Sequence, residues 1–230
     1  MHELRCRSLG ICDDLRAELE TTLVPLELSG ADHLVCLSAV TVTNNQFVRF
    51  LNETGIANHV GGTYLWLNDI NVNLPVRWVD AAYEIRAGYE EHPVVGVTWN
   101  GAVLYALSLG ARLPTGAEWE FAATTGEPSQ QYPWGNEHPS PLLANFGQHV
   151  GTTTPVRAYP PNRWGFYDLS GNVRQWCSEW FEDVGAQPIM KVVRGGAWNK
   201  GTEHLATTVR HGKWARMGSD SCGFRLAVIL

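Results

Sequence analysis

Apolar side chains recur with helical spacing in three stretches of the first half of the chain, and the second half loses that rhythm. Residues 12–22 begin with Asp13 and Asp14, acids that suit the positive first turn of a short helix. Two apolar stretches, 23–28 and 34–42, flank Ser29-Gly30-Ala31-Asp32 and predict two strands around a turn. Thr43 or Asn44 then caps a helix whose Phe47, Phe50 and Leu51 share one face, and Asn52 to Gly55 end it. Residues 56–91 show no period, only isolated Trp66 and Trp78. A further helix is expected over 100–109, with Val103, Leu104 and Leu107 as its buried stripe and Gly110 past its end. Thr115 and Glu118 have capping-box spacing: the hydroxyl accepts from the third amide while the carboxylate reaches back. Beyond Gly126 the pattern is loop, with short strands expected near 156–159, 191–198, 205–211 and 223–230. Helices followed by short antiparallel strands read as α+β, without the alternation of a doubly wound parallel sheet or any internal repeat.

Composition narrows this. At 230 residues, with 44% hydrophobic and 17% charged side chains, one domain over 1–230 is expected. Ten Trp form an aromatic payload that disordered and coiled-coil sequences lack. No apolar run approaches the ~18 residues of a membrane helix, and the first twenty residues lack the apolar centre of a secretory signal. The net charge is −6 with no basic cluster, so neither nucleic acid nor an anionic membrane is an expected partner. Five irregularly spaced cysteines read as free thiols of a reducing, cytoplasmic compartment. Cys6 and Cys12 could form a metal or redox pair, but no matching second half accompanies them.

Several motifs occur in order: TVTNNQFVRFLNETG, HPVVGVTWNGAVLYALSLGARLPTGAEWEFAATTG, YPWGNE, PVRAYPPNRWGFYDLSGNVRQWCSEWF, VVRGGAWN and a terminal CGFRLA. The series resembles the formylglycine-generating enzyme (sulfatase-modifying factor) superfamily over about residues 41–230, leaving 1–40 divergent. The resemblance implies a C-type-lectin-like fold, rich in loops and closed by its C-terminal strand. Residue chemistry gives much of the motif set a scaffold role. Trp99, Trp119, Trp134, Trp164 and Trp176 can fill a core beneath long loops. Arg112, Arg194 and Arg225 can fork onto carbonyls or carboxylates, and Gly195-Gly196 permits close backbone approach.

The family resemblance also implies a structural calcium in the segment from Tyr167 to Gln175. By position, Asp168 and Gln175 would give side-chain oxygens, and Gly171 and Val173 carbonyls. Gln175 stands where the family's last ligand is usually Glu; the alternative is a turn cross-linked without metal. Formylglycine generators hold copper through two cysteines after the Gly-Gly turn. Here residues 195–204 contain none, and Arg174 replaces an active-site Trp, so neither copper nor that activity is supported. Sulfoxide synthases of the superfamily hold iron through histidines mainly from an additional N-terminal bundle, for which 40 residues leave too little chain.

What remains is a face formed by residues 198–222. Trp198, Asn199, Lys200, Glu203 and His204 lie at its start; His211, Trp214 and Arg216 follow. Aromatics beside Arg form a recognition mix, and the expected function is binding of a small-molecule or protein ligand. The alternative is an oxygen-dependent tailoring enzyme, similar to pyoverdine-maturation proteins or sulfoxide synthases, with His204, His211 and Arg174 as candidate catalytic groups. The two histidines sit seven positions apart, where an extended strand would point them to opposite faces and a loop would leave their placement open.

Overall fold

The computed structural model describes residues 10–27, 32–55, 74–182 and 189–230. Helix α1 (Gly10–Glu20) leads into an antiparallel pair, β1 (Leu23–Leu26) and β2 (Val35–Ser38). The second helix, α2 (Asn44–Thr54), starts at Thr43, whose hydroxyl accepts from the Gln46 amide while Gln46 Oε1 accepts from Thr43 N. Gly55, at φ 64°, ends it in the left-handed conformation that glycine adopts without penalty. Phe47, Phe50 and Leu51 are buried as their spacing predicts.

Next come a hairpin, β3 (Val76–Val79) and β4 (Ala82–Ile85), and two helices, α3 (Trp99–Ser108) and α4 (Gly116–Thr124). The hairpin falls where no period was visible; its turn uses positive φ at Asp80 and Ala81. On α3 the expected stripe is displaced. Ala102, Tyr105 and Ala106 face the core, whereas Leu107 is 64% exposed. Small residues let this helix approach closely, so its larger aliphatics lie at the margin. At α4 the capping box is present, and Glu118 also takes a two-pronged contact from Arg112 at 2.6 and 2.7 Å.

The second half contains β5 (Arg174–Trp180), β6 (Met190–Arg194), β7 (Arg210–Trp214), β8 (Cys222–Gly223) and β9 (Ala227–Ile229). They form a sheet in the order β7-β6-β5-β8, with β5 and β8 parallel, while β9 returns to complete β1-β2-β9. Residues 156–159 form turns instead of the expected strand, as Arg157 sits at φ 66°; likewise 205–209 stay irregular and pairing begins at Arg210.

Two cores meet across this sheet. One gathers Phe47, Tyr105, Trp176, Val193 and Phe224; the other gathers Leu37, Trp119, Phe166, Cys177 and Val192. Trp119 and Trp176 are fully buried, and Trp99, Trp134 and Trp164 are half-buried around them. Trp66, Cys6 and the turn residues 29–31 lie outside the described residues. The α+β, C-type-lectin-like architecture expected from the sequence is the one observed.

Candidate functional site

Alternation along β5 and β7 builds the site. Arg174 and Trp176 share one face of the sheet with Val193, His211 and Lys213, since Trp176 pairs Val193 and Val193 pairs His211. Gln175 and Cys177 point to the opposite face, toward α4. Behind the strands, Gly195 and Gly196 turn the chain at φ 92° and 65°. A Cβ would lie 2.7 Å from Leu169 O at the first and 2.9 Å from His204 O at the second. Only glycine allows the 195–205 segment to pack this closely, and that brings His204 over the end of β7.

His204 and His211 therefore meet. Nδ1 of His204 lies 3.0 Å from Nε2 of His211, with ring centroids 4.9 Å apart. Glu203 Oε1 lies 3.3 Å from His204 Nε2. One set of neutral tautomers satisfies both contacts: His211 donates from Nε2 to His204 Nδ1, and His204 donates from Nε2 to Glu203. Burial lowers both imidazole pKa values, with the Arg174 charge acting in the same direction.

Arg174 has no equivalent partner. Its Nε is buried without an acceptor, and its side chain makes no hydrogen bond to protein among the described residues. Desolvation pulls its pKa down. Asn199 Oδ1 is also buried without a hydrogen-bond partner among the described residues. Beside Arg174, Cys222 is fully buried, its thiol pushed up to about 12, so it is a neutral wall and no thiolate.

The other sequence candidates divide. Trp198 is half-buried and donates through Nε1 to Asp220 O at 3.0 Å, which ties the two ends of the 198–222 face together. Lys200 lies within electrostatic range of both histidines. Trp214 is 51% exposed but belongs to the opposite face of β7, with Arg210, whose guanidinium lies over Phe181. Arg216 is exposed and makes no hydrogen bond or ion pair with the cluster among the described residues. Neither joins the histidine pair. His92 is structural, bonding Thr153 Oγ1 through Nδ1 at 2.9 Å. Among the described residues, no three His, Cys, Asp or Glu side chains converge as a metal site.

Of the oxygens that the family resemblance assigns to calcium, the one on Gln175 is already taken. Gln175 Oε1 accepts from Trp119 Nε1 at 2.8 Å and from the Arg225 guanidinium at 2.6 Å. Gln175 Nε2 donates to Asp168 O at 2.6 Å. The Asp168 carboxylate takes bonds from Arg157 N and Asn172 Nδ2. Gly171 and Val173 belong to the same loop, and Gln175, the last of the four proposed donors, has no lone pair to spare. Sequence reasoning missed this hub because its main cation, Arg225, lies fifty residues away. Arg225 also holds Ser38 O, Ala39 O and Tyr167 O; Arg194 grips Thr208 O, Val209 O and Glu120. Both arginines do the scaffold work expected of them.

Comparison with known proteins agrees with this architecture. The chain is 37% identical over 216 residues to "Serine/threonine-protein kinase pkn1" of Chlamydia pneumoniae, covering 85% of this chain and 33% of that protein. It is 40% identical over 155 residues to "Inactive C-alpha-formylglycine-generating enzyme 2" of Mus musculus, covering 60% and 49%. The chain thus spans from a third to a half of the length of these relatives. Its fold matches that of PvdO from Pseudomonas aeruginosa with a TM-score of 0.67 at 23% identity, over 86% of this chain and 81% of that one. The description "Sulfatase-modifying factor enzyme 1-like domain" matches residues 33–230. With the fold and the ordered motifs in agreement, the chain belongs to the sulfatase-modifying factor enzyme 1-like domain family.

Proposed function

We propose that the chain is a recognition module that holds an anionic group, such as a carboxylate of a small molecule or peptide, at the cleft formed by Arg174, His204 and His211. The observation that carries this reading is Arg174. A partly buried guanidinium with no acceptor among the described residues is costly, and an oxyanion from outside would satisfy it. Arg suits that role because its planar fork matches a carboxylate. Lys200 and Lys213 add positive charge near the cleft, and the neutral imidazoles supply hydrogen-bonding groups that gain protons when an anion arrives. Titration with acetate, succinate and sulfate, followed by thermal shift and Trp fluorescence at constant ionic strength, tests the reading. Saturable binding that Arg174→Gln removes supports it; equal responses of both proteins contradict it.

A second reading rests on His211 Nδ1, which carries no hydrogen bond among the described residues and keeps a lone pair. A neutral imidazole backed by a second one can take a proton from a bound substrate. That arrangement suits the oxygen-dependent tailoring enzyme that the sequence also allows. An oxygen electrode separates the two: oxygen uptake with a bound anionic metabolite, lost in His211→Gln, favours chemistry over recognition alone. The kinase named among the relatives is a property of those longer proteins.

A further inference from the structure

We infer that the Gln175 side-chain amide does in this chain the loop-closing work of a metal ion, so that residues 168–175 are held together without calcium. The family resemblance puts a carboxylate at this position, where one oxygen would face a cation. Gln175 is completely buried, and its orientation is forced. The oxygen faces two N–H donors, from Trp119 and Arg225; turning the amide over would set an NH2 group against both. Nε2 is thereby aimed at Asp168 O, which it reaches at 2.6 Å. A direct N–H···O bond spans the gap where a carboxylate would put oxygen against oxygen and need a cation between them.

Charge reaches the same result. Replacing Glu by Gln removes one buried negative charge from the loop. The remaining carboxylate, Asp168, is matched by the Arg225 guanidinium, each stabilising the charge of the other. One acid and one base balance. A dication added here would leave two buried positive charges with no counter-ion, next to an arginine already fixed by carbonyls of Ser38, Ala39 and Tyr167. Both lone pairs of Gln175 Oε1 are occupied, so the side chain has no ligand to offer. The backbone supports a closed loop: Asp168 and Asn172 adopt φ 53° and 59°, and Asn172 bonds Thr154 through both ends of its amide.

The test is thermal melting of the full chain in EDTA and in calcium chloride, with calorimetric calcium titration of the EDTA-treated protein. The wild-type melting temperature is expected to be the same in both buffers, with no heat of stoichiometric binding. Gln175→Glu should melt several degrees lower in EDTA and recover when calcium is added, because its second oxygen then faces Asp168 O. Stoichiometric calcium binding by the wild-type chain, or a wild-type melt that falls in EDTA and recovers with calcium, overturns the inference. A Gln175→Glu protein that folds and ignores calcium overturns the role of the amide. If that variant does not fold, the wild-type titration still decides whether the loop takes a metal.

Discussion

His204 and His211 share a hydrogen bond between Nδ1 and Nε2 at 3.0 Å although they lie seven positions apart in the sequence. Strict alternation along one strand would set them on opposite faces. They meet because His204 is not on the strand: it closes a 3-10 turn, Thr202–His204, that Gly196 lets fold back over β7.

That contact predicts a pH dependence. Burial and the charges of Arg174 and Lys200 lower both folded-state pKa values below the ordinary 6.5, although Glu203 pulls His204 the other way. The neutral forms are therefore favoured in the folded protein, and their contribution to stability is fully present above pH 6.5. It is lost as pH falls through the lowered values. Urea unfolding from pH 8 downward should show stability declining below about pH 6.5, with a shallower decline in His211→Gln. A bound anion reverses the sign for the ligand. Affinity should rise as pH falls through this window, with proton uptake on binding.

Arg174→Met should abolish the response to carboxylates while leaving the melting temperature unchanged or higher. Among the described residues the side chain makes no hydrogen bond that could be lost, and removing a desolvated cation without a partner there relieves a cost. A residue with only a structural role would behave in the opposite way, so differential scanning calorimetry beside the titration separates the two.

The two exposed-face tryptophans should behave differently. Trp198→Phe loses the bond to Asp220 O, with an expected loss of about 1 kcal/mol of stability and weaker anion binding as the 198–222 ends loosen. Trp214→Ala should leave binding unchanged, because Trp214 lies on the other side of β7. Chemical denaturation and anion titration of both variants check this.

Gly195→Ala and Gly196→Ala should each destabilise by about 1–3 kcal/mol or more, since each combines positive φ with a Cβ pushed against a backbone oxygen. Their urea midpoints report the loss. Anion affinity should fall with them, because this turn places His204.

Much of the fold was legible because it is local. The cap at Thr43 or Asn44 and the box at Thr115–Glu118 act within a single turn, and such local signals are readable in the sequence alone. Strand β5 was less visible: Gln175, Trp176 and Cys177 are all buried, so the period of two disappears, and a buried Gln imitates a loop. Its partner Arg225 comes from the far end of the chain. The 198–222 face was legible as chemistry but not as geometry. Composition could gather Trp198, His204, His211 and Trp214, yet only the register of β6 and β7 separates Trp214 from the histidines. Arg174, read as a replaced active-site position, stands at the centre of the proposed cleft because β5 carries it to the face that His211 shares.

The most direct measurement of the central claim is the Nε–Hε resonance of Arg174 in a 1H–15N spectrum, assigned by its absence in Arg174→Gln. Titration with succinate should move this resonance saturably, at the same concentration that moves the His204 and His211 ring signals. An Arg174 Nε–Hε signal that stays fixed while succinate is raised to saturation elsewhere, or that moves no more than those of the other arginines, would contradict an anion held at this cleft.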